Sequence, residues 1–276
     1  MKNKRKTTTK TYLTIAAVSA LTCGAASMFL FNENNNIEKT FYCIGKKSAD
    51  KTAFRIVQVS DLHGKEFGKN NAVLLDEIER LSPDLIAVTG DIIWGYEPNF
   101  ESAAVFLRKA GFIAPVVFVT GNHEEGYSGD ELDGLLETFS DSGVKVLDNE
   151  SVFFEKNSKK IKICGVSEKN LIAGNIDKDE SEYFSVLLAH IPHFCEFYEE
   201  SGYDMVLTGH AHGGQIRMPF SKMPLVAPNQ GLFPKYTEGS YTAGKTRVFV
   251  SRGLGRSVMP QRIFNKPELC VYDISL

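Results

Sequence analysis

Three apolar runs in this chain end in nearly the same letters: VTGD at Val88–Asp91, VTGN at Val119–Asn122 and LTGH at Leu207–His210. Such short continuous runs, rich in valine, read as strands covered on both faces. A glycine placed directly after them permits a sharp turn and a close approach of neighbouring backbone. The next side chain is then left at the strand's end, where open α/β sheets gather their sites. That side chain is an Asp, an Asn and a His, each a possible metal ligand. Two more strands end alike: FRIVQVS (54–60) runs into Asp61-Leu62-His63, and SVLLA (185–189) into His190.

Further β-rich runs follow at VVFVTG (116–121), KIKICGV (160–166), RVFVS (247–251) and LCVYDI (269–274). Between the early strands lie helical patterns. Residues 71–82 set Val73, Leu74, Ile78 and Leu81 on one stripe, and residues 99–111 have Asn99 as a cap and Gly111 as a stop. Residues 130–143 and 192–202 look similar. Strand–helix alternation followed by strand-rich sequence predicts an α/β layered sandwich. The exception is 213–245, where Pro219, Pro224, Pro228 and Pro234 punctuate an apolar loop. A long irregular loop in a compact domain is often functional; a packed connector is the alternative.

Spacing refines the ligand set. In extended chain residues i and i+2 point the same way, so Asp61 and His63 can face one ion, and His210 and His212 one pocket. Asn122 and His123 are adjacent and should point apart, one to metal and one to substrate. Of six histidines, five (His63, His123, His190, His210, His212) stand at or just past an apolar strand beside Asp, Asn or Gly. Packing alone is a poor explanation for five. His193, at an expected helix start after Pro192, is read as structural.

The first 31 residues are of another kind. Lys2, Lys4, Arg5, Lys6 and Lys10 precede Tyr12–Phe31, a stretch of 20 residues without a charge, enough to cross a bilayer as a helix. We read 1–31 as a membrane anchor; a signal peptide cleaved near Gly24 and Ala26 is the alternative. The N-terminal cations keep that end in the cytoplasm, which puts the domain on the extracytoplasmic side of the cell membrane, or secreted if cleavage occurs. Residues 32–50 are read as a tether and first strand, and 51–276 as the main domain. Beyond residue 31 the chain holds 26 basic against 34 acidic residues, a formal −8, a poor electrostatic match to nucleic acid. Five dispersed cysteines without a Cys-x-x-Cys pair argue against a zinc knuckle or a disulfide framework; a single Cys43–Cys270 bridge stays open.

In order along the chain, SDLH, TGD, GNHE, AH and GHAHGG resemble the motifs of the calcineurin-like metallophosphoesterase family, over about Ile56 to Gly214. GGQIRMP (213–219), GLFPKY (231–236) and VSRGLG (250–255) resemble those of its YkuE/YaeI-like bacterial subgroup. The resemblance implies an α/β/β/α sandwich with two metals between its loops. Asp61, His63, Asp91 and His212 would hold one ion. Asp91, Asn122, His190 and His210 would hold the other, with Asp91 bridging. His123 would stand beside the scissile phosphate as general acid or charge stabiliser.

Mixed carboxylate, amide and imidazole donors suit Mn, Fe, Zn or Ni better than Ca or Mg. Two such ions can share a hydroxide and neutralise the attacking and leaving oxygens of a phosphoester together. Arg217, Arg252 and Arg256 are candidates for substrate phosphate by fork geometry, Arg217 first, with ion pairing to carboxylates as the alternative. The substrate is then a phosphomonoester or diester, lipid-linked if the apolar loop covers it near the membrane. A non-catalytic scaffold on the same fold and a metal amidohydrolase are the rival readings.

Overall fold

The computed structural model describes residues 2–45, 53–95, 100–221 and 223–275. Helix α1 (Lys2–Asn35) is followed by β1 (Glu38–Ile44), β2 (Phe54–Val59), α2 (Ala72–Leu81), β3 (Leu85–Thr89), α3 (Phe100–Gly111), β4 (Val116–Val119), α4 (Asp130–Asp141) and β5 (Lys145–Val146). The second half runs through β6 (Glu150–Lys156), β7 (Lys159–Gly165), α5 (Glu168–Ile172), β8 (Phe184–Leu188), α6 (Cys195–Ser201) and β9 (Met205–Thr208). It closes with β10 (Val226–Ala227), β11 (Gly231–Leu232), β12 (Gly239–Ala243), β13 (Thr246–Val250) and β14 (Glu268–Ile274).

Two six-stranded sheets result, ordered β1-β14-β2-β3-β4-β5 and β12-β13-β9-β8-β7-β6. In each, the strands that carry candidate ligands run parallel to one another. All their C-terminal ends therefore lie at one edge of the sheet. The sheets face each other across Ile56, Leu85, Val117 and Val119 on one side and Ile163, Val186, Leu188 and Leu207 on the other. Helices α2, α3 and α4 cover the outside of the first sheet through Leu74, Ile78, Phe106, Leu107 and Phe139. Helices α5 and α6 cover the second through Leu171 and Tyr198. This is the layered α/β/β/α sandwich expected from the sequence.

The strands read from the sequence form with their ends shifted by a residue or two. Strands β6 and β12 were not read, because their alternating half-exposed residues lack the continuous apolar signature. His193 lies ahead of α6, which begins at Cys195. The expected cap Asn99 lies outside the described residues. All five cysteines are free. Cys43 registers with Asp273 while the buried Cys270 registers with Thr40, three positions or about 10 Å along a strand, so the Cys43–Cys270 bridge does not form.

Helix α1 has one segment, Thr14–Asn35, long and apolar enough for a membrane span or a signal sequence. Asn32–Asn35, expected to be an open tether, continue this helix. Tertiary bonds hold them there: Asn265 N–H donates to the Glu33 carboxylate at 2.9 Å and Arg262 N–H to Asn34 Oδ1 at 2.8 Å. Lys65 Nζ donates to the Asn34 carbonyl, satisfying one of the carbonyls that the end of a helix leaves without an intrahelical partner.

Candidate metal centre

The sandwich brings the strand-end residues into one place. Asp61, His63, Asp91, His210 and His212 all have positive φ, between 47° and 66°. Left-handed backbone costs an L-residue roughly 1–2 kcal/mol, so five adjacent cases mark a site where side-chain direction overrides backbone comfort. Gly121 and Gly209 earn their positions by space: a Cβ at Gly209 would overlap Ser60 Oγ and Asp61 Oδ2, and one at Gly121 would overlap Asp91 Oδ1.

The donor atoms converge in two groups that meet at Asp91. In the first, His63 Nε2 and His212 Nε2 stand 3.0 Å apart, with Asp61 Oδ1 3.5 Å from His212 Nε2 and Asp91 Oδ2 3.5 Å from His63 Nε2. In the second, His190 Nε2 lies 3.2 Å from Asp91 Oδ2 and 3.2 Å from His210 Nδ1, which is 2.9 Å from Asn122 Oδ1. Within Asp61/His63/His212, and within Asp91/His190/His210, one donor atom per residue lies within 4.8 Å of the others.

Electrostatics agree with a cation-binding role. Burial holds the His63 and His210 rings down to about 3, and His212 well below the usual imidazole range. These three rings are neutral at pH 7, and each neutral imidazole keeps one nitrogen lone pair to offer a cation. Burial pushes Asp61 up to about 6. Burial also raises Asp91, but His190, by charge and by hydrogen bond, outweighs that and keeps its carboxylate ionised. Fully buried carboxylates without a neighbouring lysine or arginine ion pair are costly, and two divalent ions fit this donor set.

Other side chains orient the donors. His190 Nδ1 is 2.7 Å from the Thr89 carbonyl, which makes Nδ1 the donor and turns Nε2, here sharing its proton with Asp91, to the side where a metal ion would take that proton's place. Ser60 Oγ donates to Asp61 Oδ2 at 2.6 Å. Glu124, with no solvent exposure, accepts from the backbone N–H groups of Asp91, Ile92, Ile93 and Gly121 at 2.7–3.2 Å. It thereby clamps the loop after β3 to the loop after β4. Sequence reasoning gave Glu124 no role although it closes the GNHE phrase; a carboxylate three residues after a strand-end glycine was the available signal. Asn229, 3.2 Å by Nδ2 from His210 Nε2, was invisible to it.

The structure brings together all seven expected ligands and His123. The His123 backbone N–H donates to Asp91 Oδ1 at 2.8 Å, and both Asn122 and His123 line the cavity over the centre. His123 Nδ1 accepts from Gly95 N–H at 2.9 Å, and its ring stacks on Trp94 at 4.9 Å. Arg217 is a correction. Its guanidinium is buried, donating from Nε to the Gly213 carbonyl at 2.6 Å and pairing with Glu238. It braces the loop and does not reach substrate. Arg252 is likewise consumed by Glu38 and Glu268. Arg256 alone of the three is exposed, 5.8 Å over Trp94.

A cavity of about 200 Å³ opens over the centre, lined by His63, Asp91, Asn122, His123, Pro228 and Val258 among others. A larger one of about 690 Å³ adjoins it at Asn122. A third, of about 380 Å³, runs from His63 past Lys65 and Arg256 to Asn34 and Asn35 at the end of α1.

Comparison with known proteins agrees with this geometry. The family model described as calcineurin-like phosphoesterase matches residues 54–214. The metallophosphoesterase YkuE of Bacillus subtilis is 31% identical over 271 residues, covering 94% of this chain and 93% of that protein. YpbG of the same organism is 30% identical over 268 residues, 93% of this chain and 92% of that one. The phosphodiesterase YaeI of Escherichia coli is 28% identical over 229 residues, 80% and 82% respectively.

Proposed function

Because this chain belongs to the calcineurin-like phosphoesterase family, and is thereby a metal-dependent phosphoester hydrolase, we propose that its reaction is run by a two-metal site with the following division of labour. Asp61, His63, Asp91 and His212 hold one divalent ion; Asp91, Asn122, His190 and His210 hold the other. The observation that carries this reading is the convergence of two buried donor groups on the shared Asp91. When bound, two such ions activate water and neutralise charge on the phosphoryl oxygens. The identity of the ions is a manganese, iron, zinc or nickel choice, supported by the mixed O and N donors.

The protein's own groups do the rest. Water's oxygen forms the new bond to phosphorus and gives up one proton while the bond to the leaving alcohol breaks, and the leaving oxygen takes up one proton, so that water's two hydrogens end on the phosphate and the alcohol. With Nδ1 receiving the Gly95 N–H, His123 carries its proton on Nε2. It serves as a hydrogen-bond donor to developing charge rather than as an imidazolium acid. Trp94 fixes its plane, and Glu124 keeps the β3 and β4 loops in register. Asn122 has two tasks, its Oδ1 beside His210 Nδ1 and its place at the border between the cavity over the centre and the largest one described.

The finer reading includes location and substrate. Thr14–Asn35 anchors the protein in the cell membrane, the basic N-terminus stays cytoplasmic, and the catalytic domain lies outside. The phosphoester is carried by a lipid-linked molecule, supported by the exposed apolar residues Phe220, Leu232 and Phe233 of the proline-rich loop.

The test is hydrolysis by manganese-loaded protein of a nitrophenyl phosphomonoester and the matching diester, with Asp91→Ala as control. Turnover in wild type and a fall on the order of 10³-fold in the variant are expected. Equal rates in the two would instead favour a scaffold. His123→Ala should lose turnover, about 10²–10³-fold, with metal content unchanged; a metal-free variant would sink its assigned role. Mass spectrometry of the mature N-terminus decides between anchor and cleaved signal.

A further inference from the structure

The hydrogen bonds at the end of α1 fix the orientation of the anchor relative to the metal cavity, and the exposed residues around the cavity then acquire a common direction. Phe29 lies inside the charge-free stretch that ends at Phe31. The Phe264 ring packs against it, 5.3 Å between centroids, and Gln261 Nε2 donates to the Leu30 carbonyl at 3.0 Å. At 1.5 Å rise per residue, the ring of Phe264 sits about 3–5 Å below the level of Asn32. In a bilayer that is the acyl side of the headgroup layer.

The same loop is continuous with the cavity mouth. Val258 lines the cavity over the metal centre and is 81% exposed. Gln215 Nε2 donates to the Met259 carbonyl at 2.8 Å, and Ile216 bridges to Ile263. That bridge joins 256–264 to the proline-rich loop, whose Phe220 and Leu232 are 105% and 75% exposed and whose Pro228 lines the other side of the mouth. Phe220, Phe233 and Phe264 all have φ between 53° and 69°, so left-handed backbone holds three phenylalanines outward. Arg256 stands between this apolar rim and His63, where anionic headgroups would meet it.

We propose that 256–264, 218–221 and 223–233 form, with the last turns of α1, one surface seated in the headgroup–acyl boundary of the anchoring membrane, and that the substrate is the headgroup phosphodiester of a diacyl lipid in that same leaflet. This rests on the anchored phosphoesterase reading above. A contiguous apolar rim fixed to a spanning helix fits an interface rather than water. The cavity mouth opens within the rim, so a lipid reaches the metals by lateral movement without leaving the bilayer.

The test uses the full chain in vesicles of phosphatidylcholine and phosphatidylglycerol, loaded with manganese. Two probes release the same nitrophenol: the nitrophenyl phosphodiester of diacylglycerol, resident in the vesicle, and soluble bis-nitrophenyl phosphate. Phe220→Glu combined with Leu232→Asp is expected to slow the lipid probe at least tenfold and leave the soluble probe within about twofold. Leu232→Trp should be quenched by brominated acyl chains, whereas Phe112→Trp, at the far end of β4, should not. Equal effects on both probes, or no quenching at Leu232→Trp, overturn the seating. If wild type and Asp91→Ala treat the soluble probe alike, the phosphoesterase reading falls and takes this inference with it.

Discussion

Val59 and Asp61 are two residues apart, both with no solvent exposure, and they belong to two differently constructed interiors. Val59 ends an extended strand whose neighbours are aliphatic. Asp61 has left-handed backbone, accepts from Ser60 and His210, and faces imidazoles. The passage from aliphatic strand to left-handed ligand is made again, over three residues, at Val88 and Asp91 and at Leu207 and His210, while Val119 leads to a half-buried Asn122. The apolar interior stabilises itself by removing carbon from water. The polar interior holds ionised and lone-pair donors in a dry place, and its stability depends on what it binds. The two should therefore fail in different ways.

The largest contrast is Asp91→Ala, which removes the donor common to both groups. Several kcal/mol of charge stabilisation are lost, a fall on the order of 10³-fold in hydrolysis of a chromogenic ester. Metal content, read by plasma mass spectrometry, should fall with it while the melting transition of the metal-free protein stays cooperative. Leu207→Ala is the mirror experiment. A cavity between the sheets should cost about 2–5 kcal/mol in urea unfolding, yet the folded protein should keep its metals; loss of metal at full stability would contradict the division.

Glu124→Gln lies at the seam. An amide nitrogen would then face backbone N–H groups that now donate to carboxylate oxygen, and metal affinity by titration calorimetry should weaken about 10–100-fold. The smallest effect is on pH dependence. Burial raises Glu124 to about 8 and Glu168 to about 7 in the metal-free protein, from 4.5. Their protonated forms favour the folded state, a contribution complete below pH 4.5 and lost as pH climbs through 7 and 8. Metal-free protein should therefore lose stability in denaturant titrations as pH rises from about 6.5, above which His63 and His210 no longer oppose the trend, to about 8. Below pH 6.5 the neutral His63 and His210 act in the opposite direction, since the unfolded chain binds protons they refuse.

The strand ends were legible in the sequence because a valine-rich run followed by Gly and a ligand is a local pattern with a local cause. The layer order followed from strand–helix alternation. What depends on distant partners was not legible. Arg217 follows the paired histidines as a phosphate-binding arginine would, but Glu238 and the Gly213 carbonyl claim it. Asn32–Asn35 look like a tether and are helical because residues 261–265 hold them. Glu124 was in view and unassigned, since nothing in one chain of letters shows that four backbone N–H groups point at it.

Strand β14 pairs with β1 on one side and β2 on the other. A strand near the C-terminus is thus the wedge between the first two, and β1 has no partner in its sheet until that segment has been made. On a ribosome delivering about 5–20 residues per second, the ligands from Asp61 to His212 all emerge before it. Strands β2, β3 and β4 pair directly with one another, so the ligand-bearing ends can assemble as they emerge, and only β1, with the helix before it, waits for the last strand to be made.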